Sequence, residues 1–108
     1  MPIDSNPRSS DVDRSAKTLE GERRADVVNR LKSARGHIDH ILAMIDEDAY
    51  VLDLLRQIAA VRGAVDATTR IALRHYFERV FANQVRDGEV ESAAGELMTA
   101  LRFMRQID

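Results

Sequence analysis

The feature that most constrains this chain is an uninterrupted stretch from position 50 to position 86, which contains no proline and only one glycine, Gly63. Most of its residues are good helix formers, so it predicts one very long helix of roughly 36 residues, about 55 Å long. Apolar residues occupy several faces of this helix, namely Val51, Leu52, Leu54 and Leu55 near its start and Phe77, Val80, Phe81 and Val85 near its end. A helix that is apolar on several faces must be covered on several faces. The sequence therefore predicts an oligomer.

A shorter helix is predicted on each side of the long one. From about Glu22 to Asp48 apolar residues recur every three to four positions, in the order Val28, Leu31, Ala34, Ile38, Ile41 or Leu42, and Ile45. The acids at 46–48 oppose the helix dipole and predict a break close to Ala49. Gly88 ends the long helix, and a third apolar repeat follows from Val90. We expect an all-α fold, an antiparallel helical hairpin plus a short third helix, dimerising into a four-helix bundle.

The composition bounds the function classes. The chain has 108 residues, 44% hydrophobic and 31% charged, which indicates one small helical domain at 21–108 after a flexible tail at 1–20. There is no cysteine, which excludes disulfides, thiolate nucleophiles and zinc ribbons. We found no apolar run of membrane-spanning length and no signal peptide, so a cytoplasmic protein without a membrane partner is expected.

Charge is distributed in blocks of alternating sign. Positions 23–35 hold five basic residues and one acid, 36–55 hold five acids and no base, and 56–86 hold six arginines and two acids. If the hairpin folds back about Ala49, residues 23–35 face 63–75, and the basic blocks meet at the end away from the turn. This arrangement predicts a phosphate-binding surface, and the alternative is a solvated arginine-rich face. The candidate DNA contacts are Arg23, Arg24, Arg30, Lys32, Arg35, Arg70 and Arg74.

Several motifs resemble one known family. The chain resembles the copper-sensitive operon repressor family over nearly all of 22–106. The resemblance is carried by four motifs in the same order, Arg30-Leu31-Lys32, Arg35-Gly36-His37, Asp48-Ala49-Tyr50 and a segment from Gln57-Ile58 to Arg62. The resemblance implies a dimer of dimers that binds operator DNA without a helix-turn-helix, using arginines of the first two helices. Arg30 matches the first of these arginines. The second falls on Ala67, with Arg70 three residues on as a possible substitute.

The same resemblance places the copper ligands. In the family, the ligands are a cysteine directly after the motif tyrosine and the histidine and cysteine of a His-x3-Cys motif in the partner chain. In this sequence the first position is Val51, and the other two are Tyr76 and Val80. Valine offers no lone pair and a neutral phenol is a poor Cu(I) ligand, so we expect no metal, no cofactor and no copper sensing there. Tyr50 and Glu96 match the family's outer shell. A hydrogen bond between them that fixes one allosteric state is one hypothesis, and simple packing is the other.

Three histidines remain to be interpreted. His37 and His40, with Asp39 or a partner chain, are candidates for zinc or nickel, although a structural role is the alternative. His75 is interpreted as a surface residue or a weak phosphate contact. Replacement of the ligands by Val51, Tyr76 and Val80 leaves open a small apolar cavity for a hydrophobic effector.

The motifs favour a function without catalysis. No catalytic arrangement of side chains is evident, so an enzyme is not expected. The leading prediction is a DNA-binding repressor with an unknown effector, assembled as a dimer or tetramer. The alternatives are a helical oligomerisation partner of a related repressor without its own DNA binding, and a sensor of a different effector.

Overall fold

A computed structural model describes residues 17–107, and these form helices and turns with no strand among them. The first helix, α1, spans Gly21–Asp46. The second, α2, spans Val51–His75 and continues without a break through a π-helical segment at Tyr76–Phe81 into α3 at Ala82–Arg86. The last helix, α4, spans Val90–Gln106. The all-α hairpin with a long second helix and a short third one is confirmed, and we call the continuous run 51–86 the long helix.

The two breaks between helices fall where the sequence places them. Asp48 has a φ of 57° and Gly88 a φ of 80°, so both turns use a left-handed residue. Glycine adopts this conformation without steric cost, and aspartate is one of the side chains that tolerate it. The amide of Ala49 donates to the Met44 carbonyl at 3.0 Å, and that of Gly88 donates to Val85 at 3.1 Å. These bonds satisfy carbonyls at the ends of α1 and the long helix.

The π-helical segment was not predicted. A π turn closes its hydrogen bonds five residues apart instead of four. Such turns are rare overall, but those that occur are often found at functional sites. Accordingly the rings of Tyr76 and Phe81, five residues apart, lie on the same side with centroids 6.4 Å apart. Phe77 meets Tyr76 edge to face at 5.4 Å. Three aromatic side chains therefore pack together within this segment.

Packing within one chain uses small or medium side chains at seven-residue intervals. On α1 the buried residues are Val27, Ala34 and Ile41, and on α4 they are Ala93 and Ala100. Two alanines seven residues apart allow α4 to lie close to its neighbour. The predicted stripe of α1 was therefore only partly correct. Ala34 and Ile41 are buried, but the larger residues of that stripe, Val28, Leu31, Ile38, Leu42 and Ile45, are exposed.

A large apolar surface remains uncovered in the single chain. The molecule is elongated, 60 × 35 × 20 Å, and no large side chain among residues 17–107 is fully buried. Besides the α1 stripe, the exposed apolar residues include Val51, Leu52, Leu55, Ile58, Val65, Phe103 and Met104. Single-chain packing thus leaves the long helix apolar on its outer face, and the dimer and tetramer stay predictions. Within 17–107 no helix is both long and apolar enough to cross a membrane.

Candidate nucleic-acid interface and polar cluster

The basic blocks of α1 and α2 meet at the end of the hairpin away from the turn. Arg23 Nη2 in the first turn of α1 donates to Glu78 Oε1 in the π segment at 2.5 Å. Arg74 Nε, one turn before Glu78, lies 3.7 Å from its other oxygen, Oε2. Glu78 therefore contacts one arginine from each block, which establishes that the two blocks are neighbours.

Most of the predicted DNA contacts are open to solvent. Arg24, Arg30, Lys32, Arg35, Arg70 and Arg74 are exposed, and Arg23 is partly buried. Arg30 Nε donates to Asp26 one turn earlier at 2.8 Å, and Arg70 donates to the Ile107 carbonyl at 3.1 Å. Arg24, Lys32 and Arg35 form no salt bridge with any residue of 17–107. The basic end thus offers both unpaired cations and cations held by weak surface pairs.

Glu78 is the acid at the centre of this basic end. The hydrogen bond from Arg23 is the main cause that lowers the pKa of Glu78 below its usual value, and the charges of Arg23 and Arg74 act in the same direction. A lowered pKa means that the carboxylate stays ionised at neutral pH. Glu78 therefore presents a full negative charge to the two arginines.

His75 does not lie on the surface, contrary to its interpretation from sequence. Its exposure is only 4%, and its Nε2 donates to the carbonyl of Thr18 at 2.9 Å. Thr18 is thereby held against the long helix, and the buried ring of His75 is not available to phosphate. The predicted flexible tail at 1–20 includes this Thr18, but residues 1–16 lie outside the described part of the chain.

A polar cluster connects α4 to the long helix near position 76. Buried Gln84 donates from Nε2 to Glu96 Oε1 at 3.0 Å. The hydroxyl of Tyr76 is buried and finds no hydrogen-bond partner within residues 17–107, nor does Oε1 of Gln84. Burial raises the pKa of Tyr76, and the nearby Glu96 carboxylate raises it further. Tyr76 is therefore held as a neutral phenol.

The expected bond between Tyr50 and Glu96 is not formed within one chain. Tyr50 lies just before the first turn of α2, and 64% of its surface is exposed. The carboxylate of Glu96 on α4 instead accepts a hydrogen bond from Gln84. Among residues 17–107 no hydrogen bond joins the two. A bond between Tyr50 of one chain and Glu96 of another stays a prediction.

Positions 51, 76 and 80 cannot form one site within a single chain. Val51 and Tyr76 lie on the same straight run of helix, 25 positions apart, which is about 37 Å at 1.5 Å per residue. Val51 is exposed and Val80 is buried. Neither valine can coordinate a metal, and the neutral phenol of Tyr76 lacks the phenolate oxygen that would bind one. These side chains do not fit Cu(I), which prefers thiolates and imidazoles.

An open cavity of about 600 Å³ lies between α1, the long helix and α4. Tyr76 and Glu96 line it together with apolar residues that include Val27, Leu31, Leu73 and Phe103. Of the three positions where the ligands are replaced, only Tyr76 lines this cavity, so it is not the cavity predicted at Val51, Tyr76 and Val80, which stays a prediction for an assembly of chains.

The histidines of α1 form no metal cluster. Within residues 17–107 there is no group of three or more His, Asp or Glu side chains placed to hold an ion. His37 Nε2 instead lies 2.6 Å from Gln57 Oε1 and joins α1 to α2, whereas His40 is exposed. This bond supports the structural role of His37, and a site at His37 and His40 would require ligands from another chain.

The structure described so far is a long helical hairpin with a basic end and a short last helix packed against it. Residues 23–102 match the family described as metal-sensitive transcriptional repressor, and the chain belongs to this family. It is 39% identical over 88 residues to the copper-sensing transcriptional repressor CsoR of Mycobacterium tuberculosis, covering 82% of this chain and 73% of the relative.

Two other relatives carry the same description. CsoR of Mycobacterium ulcerans is 40% identical over 76 residues, covering 70% of this chain and 65% of the relative. CsoR of Bacillus subtilis is 30% identical over 76 residues, covering 70% and 75%. The chain is therefore a member of a regulatory family and not of an enzyme family.

Sequence reasoning missed Glu78 and Gln84. If the hairpin folds back about Ala49, Arg23 lies opposite position 75, which is less than one helical turn from Glu78. The contact between Arg23 and Glu78 could therefore have been predicted from the sequence. Gln84 and Glu96 are 12 positions apart across the turn at Gly88. Their contact depends on how the turn directs α4, which no spacing in the sequence indicates.

Proposed function

We propose that this chain is a DNA-binding transcriptional repressor that does not sense copper through positions 51, 76 and 80, where the family resemblance places the ligands. The observation that carries the proposal is the basic end of the hairpin, where Glu78 contacts both Arg23 of α1 and Arg74 of α2, so that basic segments of two helices are neighbours and most of their cations are exposed. A twofold assembly of such hairpins would present this surface twice. Repeated clusters of arginine suit the regular phosphates of a DNA backbone.

The surface pairs at this end do not prevent phosphate binding. Arg30 and Asp26 are both about half exposed, and an ion pair of this kind contributes little free energy in water. A phosphate can therefore replace the aspartate as the partner of Arg30. Arg24, Lys32 and Arg35 have no salt-bridge partner among residues 17–107, so a phosphate that binds them displaces no carboxylate of that part of the chain.

Loss of copper sensing follows from the donor atoms. The relatives are named copper-sensing repressors, whereas positions 51, 76 and 80 of this chain carry valine, tyrosine and valine. The bond from Gln84 to Glu96 holds α4 to the long helix without a metal. We infer that this bond helps to keep the repressor in one state, with Tyr50 of a second chain as a further candidate contact.

A mobility-shift titration tests the proposal. The protein is expected to bind a duplex from the promoter of its own operon at 50 mM salt, with affinity that falls steeply as salt rises. Arg30→Ala combined with Arg70→Ala should weaken binding by about tenfold or more, because each arginine lost removes a phosphate contact. Arg56→Ala is the matched control, since Arg56 pairs with Asp53 close to the hairpin turn and away from the basic end.

Two results would count against DNA binding. Equal affinity of the natural protein and the Arg30/Arg70 variant would remove these residues from the interface. No binding by the natural protein at low salt, together with mixed tetramers formed with a related repressor in native mass spectrometry, would favour the oligomerisation partner instead. Circular dichroism of the variant checks that loss of the bond from Arg70 to Ile107 leaves the helices intact.

A further inference from the structure

Glu78 holds one arginine from each basic block. Its two carboxylate oxygens face different partners, with Oε1 at 2.5 Å from Arg23 and Oε2 at 3.7 Å from Arg74. The side chains of Glu78 and Arg74 are 53% and 72% exposed, and that of Arg23 is 32% exposed. The group is therefore open to solvent and to any ligand that approaches the basic end.

The chemistry of this arrangement resembles that of a bound phosphate. A carboxylate and a phosphate both accept hydrogen bonds from guanidinium groups, and both carry negative charge. When DNA approaches, its phosphates compete with Glu78 for the same donors, and the carboxylate repels them. Exposed ion pairs are weak, so the exchange is possible, but it lowers the gain from each new phosphate contact.

We propose that Glu78 acts as a built-in phosphate mimic, which occupies Arg23 and Arg74 and thereby limits the affinity of this protein for DNA. The inference rests on the proposed DNA-binding function and assigns a role to one acid within that interface. Because phosphates are the same in every sequence, this competition weakens specific and non-specific binding alike. The residue would therefore lower the overall affinity for DNA and leave the preference for one sequence over another unchanged.

The position of Glu78 supports a role in binding more than one in folding. A glutamate carboxylate is ionised at neutral pH, and the hydrogen bond from Arg23 lowers its pKa further, so the competing charge is present. The carboxylate is half exposed, and exposed ion pairs such as those with Arg23 and Arg74 contribute little to the free energy of unfolding. Removing its charge should therefore leave the hairpin folded.

The test compares Glu78→Gln with Asp53→Asn in a fluorescence-anisotropy titration of two duplexes, one from the protein's own promoter and one of unrelated sequence. Glutamine keeps the size of the side chain and removes the charge. At 50 mM salt we expect Glu78→Gln to bind both duplexes about three- to tenfold more tightly than the natural protein, and the gain should shrink at 300 mM salt. Asp53 pairs with Arg56 near the turn, so its variant should show no comparable gain.

A second pair of variants separates competition for the arginines from a general loss of charge. In a protein carrying Arg23→Ala and Arg74→Ala, the change Glu78→Gln should give almost no further gain, because the contested donors are gone. A gain that persists in this background, or that Asp53→Asn reproduces, overturns the proposal. So does unchanged or weaker binding by Glu78→Gln while the natural protein still binds its promoter.

The outcome also distinguishes this proposal from the function on which it rests. If neither the natural protein nor Glu78→Gln binds either duplex at 50 mM salt, DNA binding itself fails and the role of Glu78 fails with it. If the natural protein binds and only the Glu78 effect is missing, the repressor function stands. Circular dichroism of every variant confirms that the helices are retained.

Discussion

A variant that carries Val51→Cys, Tyr76→His and Val80→Cys is expected to bind Cu(I) tightly at one ion per protomer, whereas the natural chain should bind none at these positions. The three changes supply two thiolates and an imidazole, the soft ligands that Cu(I) prefers. The natural side chains supply no thiolate or imidazole there. Competition with a colorimetric Cu(I) chelator under anaerobic conditions measures both the stoichiometry and the gain in affinity.

A mixing experiment shows whether such a site lies between chains. Because positions 51 and 76 are about 37 Å apart along one helix, a complete ligand set requires residues from two chains. Chains with Val51→Cys alone, or with Tyr76→His and Val80→Cys alone, should lack the full set. A mixture of the two should gain one site per mixed dimer. Weak or absent binding by the triple variant in folded form would show that these positions do not converge in the assembly.

The second large effect is expected from Ala93→Glu, which should lower the free energy of unfolding by about 3 kcal/mol, mostly through burial of a charge. Ala93 has 1% of its surface exposed and lies in the first turn of α4. Glutamate is a good helix former, so the loss would not come from helix propensity. Urea unfolding followed by circular dichroism, at one fixed protein concentration, gives the value.

Ala94→Glu is the matched control for this experiment. Ala94 is the next residue of the same helix but is exposed, so the same substitution should change stability by no more than about 0.5 kcal/mol. Equal destabilisation by both variants would mean that α4 does not pack on its Ala93 face. A small effect of both would mean that α4 is not firmly docked in solution.

The sequence was a good guide to the helices and their ends. The absence of breakers between 50 and 86 correctly predicted the long helix, and the acids before Ala49 and the glycine at 88 correctly predicted the two turns. These features are local, since each depends on a few neighbouring residues and on backbone preferences that hold in any fold. The meeting of the two basic blocks also followed, because a hairpin of straight helices has a simple register.

The parts that could not be predicted depend on contacts between distant residues or on small energy differences. An α turn and a π turn differ only in which carbonyl the amide reaches, so no residue type marks Tyr76–Phe81 in advance. A periodic pattern likewise shows that α1 has apolar faces but not which face its own chain covers. For this reason Val27 was missed, and two residues of the predicted stripe, Leu31 and Ile38, are exposed in the single chain although Ala34 and Ile41 are buried.

The exposed apolar faces of α1 and the long helix also bear on how much of this protein is folded at a given moment. If copies of the chain cover these faces for one another, as the sequence predicts, each copy is a ligand that binds only the folded form, and by mass action the midpoint of thermal unfolding rises with protein concentration. In a cell, folded protomers would then become scarce below a threshold copy number. Dilution at cell division would weaken repression more than in proportion to the number of molecules.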